Sequence, residues 1–203
     1  GDSNLATDVF VRDRSLGTTE RVSVDSSGAQ ADSSTSSRPA ISGDGRFVAF
    51  SSSATNLAAG DGNGWDDTFV RDRVAGYTVR ANVAGDGTEA LGGHSGSPAI
   101  SPGGEVAFYS SAINLAPGDT NYRADVFVRS ADGDGDKILD PRDNCPTVAN
   151  AGQTDSDGDG AGNACDDDDD NDNLADNLDS CPLLAEDFDG FQDADGCPDS
   201  DND

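Results

Sequence analysis

Between residues 1 and 130 the apolar positions come in short clusters that recur. Val9, Phe10 and Val11 lead into Arg-Asp-Arg. Val22 and Val24 alternate with polar Arg21 and Ser23. Phe47, Val48, Ala49 and Phe50 form a continuous run after a Gly-Asp-Gly turn at 43–45. Alternation bounded by Gly, Asp and Ser reads as half-buried strand, and a short apolar run between turns as a buried one. The pattern predicts strands over 8–14, 20–25, 39–42 and 46–52, then over 67–73, 78–83, 98–101 and 105–111. No apolar period of a long helix appears, so this half is expected to be all-β, built of propeller-blade-like antiparallel repeats.

The clusters recur because the sequence repeats. GDSNLATDVFVRDR (1–14) matches GDGNGWDDTFVRDR (60–73) and GDTNYRADVFVRS (118–130), at offsets of 59 and 58 residues, and 38–61 matches 97–119. A period of this length indicates propeller blades or a stacked array. The P-x-I-S-x-[DG]-G segment leading to the A-F strand, with the later VFVRD strand, resembles TolB-like β-propeller repeats over residues 1–130. Two repeats and one further first strand fall short of the roughly four blades that close a ring. Blades outside this sequence, blades from other subunits, or an open stack would each resolve the shortfall. An open stack has two unlike ends, and head-to-tail contacts that do not close give filaments.

Beyond residue 131 the pattern changes. The stretch 132–203 carries 24 Asp or Glu against two basic residues, Lys137 and Arg142, which is most of the formal net charge of −28. Its few large apolar groups cannot build a core, so folding is expected to need metal or disulfides. The acids are ordered as D-x-D-x-D-x3-[DN]-x2-D three times: Asp132, Asp134, Asp136, Asp140 and Asp143; Asp155, Asp157, Asp159, Asn163 and Asp166; Asp168, Asp170, Asp172, Asp176 and Asp179. These are positions 1, 3, 5, 9 and 12 of a twelve-residue loop of oxygen ligands, the spacing that suits Ca²⁺ with its six to eight oxygens and loose geometry. The sixth position, where a sharp turn favours Gly, is Gly160 in the second loop but Lys137 and Asn173 in the first and third. Asp187, Asp189 and Asp193, with Asp195, make a degenerate fourth loop, and Asp199, Asp201 and Asp203 open another. Several Ca²⁺ ions are therefore expected, with metal binding and folding as one event.

DNCPTVANAGQTDSDGDGAGNACD (143–166) and LDSCP (178–182) resemble the thrombospondin type 3 repeats. The resemblance implies calcium-filled loops wrapped around their ions with little regular secondary structure. The final stretch, 185–203, is similar to acidic linkers of bacterial envelope proteins. All four cysteines lie here, without zinc-site spacing. An even set in such a scaffold reads as disulfides and an oxidising compartment. Three pairings are open; the sequential one, Cys145–Cys165 and Cys181–Cys197, is preferred.

Each repeat junction carries G-D-x-N-x3-D: Asp2, Asn4 and Asp8; Asp61, Asn63 and Asp67; Asp119, Asn121 and Asp125. Oxygens at i, i+2 and i+6 form a second set of candidate calcium ligands, although Gly, Asp and Asn are also what turns use. Arg12, Arg71 and Arg129, after each VFV, are expected to pair with acids on neighbouring strands. His94, the one His, has no nucleophile or acid pattern around it, and no catalytic residue is assigned.

This charge excludes binding to nucleic acid phosphates, and no run of about 20 apolar residues could span a membrane. A start at Gly1, without an initiator Met or leader, reads as a mature or trimmed product. The expectation is a secreted or cell-surface, calcium-binding structural protein, not an enzyme: residues 1–130 a β-repeat domain, 131–203 calcium-binding repeats. Its expected partners are copies of itself in a fibre or surface assembly, with an extracellular matrix or cell-surface ligand in reserve. The alternative is a calcium-stiffened spacer or recognition module of a larger bacterial surface protein.

Overall fold

The computed structural model describes residues 3–32, 34–130, 132–136, 138–188 and 194–198. It divides into two units, Gly1–Ala131 and Asp132–Asp203. Among the described residues no helix is long and apolar enough to cross a membrane.

The first unit is all antiparallel β. Its strands are β1 (Phe10–Asp13), β2 (Thr18–Arg21), β3 (Ser36–Ile41), β4 (Phe47–Ser52), β5 (Asp67–Asp72), β6 (Tyr77–Arg80), β7 (Ser95–Ile100), β8 (Val106–Ser110) and β9 (Asp125–Arg129). They form three sheets, ordered β1-β2, β3-β4-β5-β6 and β7-β8-β9. The middle sheet is a complete four-stranded meander, whereas its neighbours hold two and three strands. No ring closes. The sheet boundary also falls in the middle of the sequence repeat. Two strands of the middle sheet come from one 59-residue unit and two from the next, joined by the β4–β5 ladder from Phe47↔Asp72 to Ser52↔Asp67.

The differences from the predicted strands have local causes. The second strand of each unit begins and ends earlier than expected, β2 at Thr18–Arg21 and β6 at Tyr77–Arg80, and beyond its end a side chain takes over the ladder. The Val9 N–H donates to Ser23 Oγ at 3.1 Å and, one repeat on, the Thr68 N–H donates to Asn82 Oδ1 at 2.8 Å. The third strand is longer than expected because a bulge lets it continue, between Ser37 and Ala40 and again between Gly96 and Ala99. Arg38 and Ser97 occupy the left-handed region at these bulges, with φ of 53° and 50°, a conformation uncommon for such residues. The Gly-Asp-Gly turn forms as expected: the Gly45 N–H donates to Ser42 O and the Arg46 N–H to Asp44 Oδ1.

The core lies between sheets. Val9 and Val22, which flank β1 and β2, pack with Val48, Phe50 and Phe69 of the second sheet, and Phe50 stacks on Phe69 at 5.8 Å between centroids. On the other face of the middle sheet Phe47, Ala49, Thr68 and Val70 are buried. There the next sheet approaches so closely that a Cβ on Gly96 would lie 2.9 Å from Ser51 Oγ. Arg71 corrects one expectation. It reaches a carbonyl and a hydroxyl, Asp25 O at 3.1 Å and Thr78 Oγ1 at 3.3 Å, because it points across the inter-sheet seam. Arg12 likewise donates to Thr19 Oγ1.

In the second unit the described residues hold one element of regular structure, a single 3-10 turn, Asp140–Arg142. Cys145–Cys165 and Cys181–Cys197 are both bonded, which is the sequential pairing.

Candidate metal sites in the acidic loops

In each acidic loop the carboxylates first build the turn that holds them. The position-3 carboxylate accepts the N–H of position 5: Asp134 from Asp136, Asp157 from Asp159 and Asp170 from Asp172. The position-5 carboxylate accepts the N–H of position 7: Asp136 from Ile138, Asp159 from Ala161 and Asp172 from Leu174. Position 9 accepts from position 2: Asp140 from Gly133, Asn163 from Ser156 and Asp176 from Asp169. Position 12 accepts from two residues further on: Asp143 from Cys145, Asp166 from Asp168 and Asp179 from Cys181. Short Asp side chains bond nearby backbone N–H groups readily, so the ligand spacing and the turn spacing are one feature.

One consequence is that each loop gathers its first three acids. Asp132, Asp134 and Asp136 each offer an oxygen within 4.8 Å of the others, as do Asp155, Asp157 and Asp159, and Asp168, Asp170 and Asp172. Three like charges at that distance repel unless a cation lies between them. Moreover, one oxygen of each of Asp134, Asp143, Asp168, Asp169, Asp170, Asp179 and Glu186 is buried without a hydrogen-bond partner. A buried carboxylate oxygen in that condition is costly, and a hard cation with oxygen ligands satisfies it. The residues present therefore fit calcium. Burial pushes the Asp170 carboxyl above its ordinary range, and at Asp169 burial and then the Asp176 carboxylate do the same.

Two features of these loops were missed in the sequence reading. The left-handed turn falls at position 4 as well as position 6: Gly135, Gly158 and Asn171 have φ of 83°, 77° and 60°, beside 104° for Gly160 and 74° for Asn173. Gly and Asn are the residues that enter this region most readily, and their alignment at the fourth position was readable. Glu186 was also missed. Its N–H donates to Asp172 Oδ2 as the Asn150 N–H donates to Asp136 Oδ2. Both sit fourteen residues after a fifth-position acid, so the spacing was available. Lys137, Asp189, Asp193, Asp199, Asp201 and Asp203 lie outside the described residues. Asp187 is described; its N–H donates to Glu186 Oε1.

The repeat junctions are built differently. In the second, Asp61 and Asp67 converge with Glu89, each offering an oxygen within 4.8 Å of the others. The Arg80 guanidinium already reaches all three: Nη1 lies 2.9 Å from Glu89, 3.5 Å from Asp61 and 3.6 Å from Asp67. Asn63 serves the turn. Its carbonyl accepts the Trp65 N–H at 2.7 Å and its amide donates to Ala90 O at 3.1 Å. Burial, and then the neighbouring Asp67, raise the Asp61 carboxyl to about 6.

In the first junction Arg21 Nε lies 3.2 Å from Asp8, and the Asn4 amide donates to Ala31 O; Asp2 lies outside the described residues. In the third, Asn121 donates to Asp125 at 3.0 Å and Asp119 accepts the Asn121 N–H, while the position equivalent to Arg80 is Ile138. Arg21 and Arg80 recur at the repeat offset, as do Gln30 and Glu89, a signal that the D-x-N-x3-D reading passed over. His94 is partly exposed, accepts the Asp66 N–H at 3.1 Å and meets the Trp65 ring edge-on at 4.6 Å.

The loops carry their own family signature. Residues 119–153 and 154–188 each match the thrombospondin type 3 repeat. That repeat is a calcium-binding structural module of extracellular proteins, and the first match begins within the β unit, before β9. The chain is also similar to thrombospondin-2 of Mus musculus, 46% identical over 43 residues. The similarity takes in 21% of this chain and 4% of that protein.

Proposed function

We propose that this chain is an extracellular structural protein whose thrombospondin type 3 repeats are filled with Ca²⁺, and that copies of it join into a fibre or surface assembly. The observation that carries the calcium reading is the convergence of three acids in each of the three loops, with buried carboxylate oxygens left without partners beside those of the first and third. The proposed ligands are the acids and Asn163 at positions 1, 3, 5, 9 and 12, with Asp169 and Glu186 added. Without cations, the 24 acids of this region would repel and expand the loops, so the calcium-free form would lose the loops while the disulfides persist. At the first two junctions we read Arg21 and Arg80 as the cation that neutralises the acids. The assembly reading is supported by the 59-residue repeat, which stacks one antiparallel sheet on the next.

The test is electron microscopy of the purified chain before chelation, after chelation and after restoring Ca²⁺, with bound calcium measured on the same samples. Assemblies that dissolve and return with calcium support the proposal. Single particles that still bind several ions per chain would remove the assembly and leave a calcium-stiffened module. Absence of bound calcium would refute the reading of the loops.

A further inference from the structure

We propose that Arg38, with the hydroxyls of Ser97 and Tyr109, forms a binding site for a carboxylate group where β3 and β7, the corresponding strands of successive repeats, pack together. The site lies inside the β unit, between the middle sheet and the last, and it stands apart from the calcium and assembly readings.

Arg38 and Ser97 stand at one repeat position, and each precedes a proline, Pro39 and Pro98. Proline steers the residue before it toward extended backbone, yet both are left-handed, at φ of 53° and 50°. So unfavourable a conformation for Arg and Ser persists only where the surroundings hold it, and such positions cluster at ligand sites. Here the bulge carries the Arg38 side chain across to the next repeat. Its Nη1 donates to Ser97 Oγ at 3.0 Å and to the Tyr109 hydroxyl at 3.2 Å. Tyr109 pairs across the strands with Gly96, and Gly96 permits the close approach. A Cβ there would crowd Ser51 Oγ at 2.9 Å and stand 3.6 Å from the Tyr109 hydroxyl.

The cluster is rich in donors and holds no acid. Arg21, Arg46, Arg73 and Arg80 each meet a carboxylate. Among the described residues none pairs with Arg38, whose Nε and Nη2 have no protein partner. The Ser97 and Tyr109 hydroxyls accept from Arg38 and donate to no other described group. Below them Ser51, 5% exposed, keeps an Oγ with no partner. Arg38 itself is exposed, so a ligand reaches the free edge of its guanidinium. A carboxylate is acceptor-only and matches that planar fork with two parallel hydrogen bonds. The net charge of −28 repels a dianion such as sulfate more strongly than a monoanion, which favours the carboxylate.

The test is a titration of the full calcium-loaded, isotope-labelled chain with acetate at constant ionic strength. It is read by NMR at the Arg38 side-chain N–H, assigned by its loss in Arg38→Gln, and at the Gly96 and Ser97 amides. A saturable shift is expected at all three and none with chloride. Read at the two amides, Arg38→Gln is expected to weaken binding about tenfold or more, and Tyr109→Phe about fivefold, the loss of one hydrogen bond. Trp65 fluorescence and calcium uptake verify that each variant is folded. Glucuronate in place of acetate identifies the source: tighter binding than acetate indicates a sugar acid, and binding no tighter indicates the carboxylate alone. Four results would each overturn the proposal: no saturable shift, an equal response to chloride, unchanged affinity in Arg38→Gln, or sulfate bound more tightly than acetate.

Discussion

The junction between the first two repeats sets a carboxylate against its own fold. Asp61 is almost fully enclosed, 3% exposed as a side chain, and its carboxyl is raised from 3.8 to about 6 by burial and by Asp67, despite Arg80. The folded state therefore binds this proton more tightly than the unfolded chain does. Stability from this group is fully present below pH 4, falls as pH rises through the window between 3.8 and about 6, and is lost above it. At about 1.4 kcal/mol per unit, the shift corresponds to roughly 3 kcal/mol near neutral pH. Asp61→Asn keeps the shape and removes the charge, so the variant is expected to be more stable than the wild type by up to about 3 kcal/mol at pH 7.5 and equal to it near pH 3.5.

The assay is urea unfolding in the presence of a chelator at a series of pH values, read by Trp65. This is the one Trp in the chain and stands four residues from Asp61, so it reports the β unit. A variant less stable than the wild type at pH 7.5 would refute the argument, because it would show that the Asp61 charge is net favourable beside Arg80. Repeating the series with Ca²⁺ asks a second question of the same pair. If Arg80 is the cation of this site, calcium leaves the difference between wild type and variant unchanged. If calcium takes the site, the wild type gains and the difference reverses.

Two further perturbations address the packing and the disulfides. Phe50 is fully buried between the first and second sheets, so Phe50→Ala is expected to lower the stability of the β unit by about 3–5 kcal/mol in the same urea assay, with calcium uptake unchanged. Cys145–Cys165 closes a separation of 20 residues, so replacing both with Ser is expected to destabilise the calcium-loaded loops by about 3 kcal/mol. That loss is read as the rise in free calcium needed to restore the loaded circular dichroism spectrum.

The sequence carried the strands and the loops because both are local codes. The apolar run Phe47–Phe50, which lies within β4, and the Asp ladder at 155–159 are set by spacing along the chain. What it did not reveal depends on partners far from the motif. Ser23 and Asn82 end a strand by reaching a backbone N–H fourteen residues away, and nothing in a Ser or Asn marks that use. Arg80 and Glu89 enter the junction from β6 and the loop after it, so a pattern confined to 61–67 could not include them. Glu186 joins the third loop from beyond its twelfth position, outside the span that the ligand spacing covers. The sheet order was hidden for a related reason: the repeat is read from one Gly-Asp to the next, but hydrogen bonds divide the chain elsewhere.

That half-unit offset bears on how such a chain can change length. Sequence duplication copies whole 59-residue units, but a copied unit enters the fold as the second half of one sheet and the first half of the next. It is hydrogen-bonded on both sides from the outset, as β5 is to β4 across the existing boundary. Insertion or deletion of a whole unit therefore preserves the four-stranded pairing of the sheets that it enters. The number of sheets can drift over generations while the ladder that joins one unit to the next stays constant.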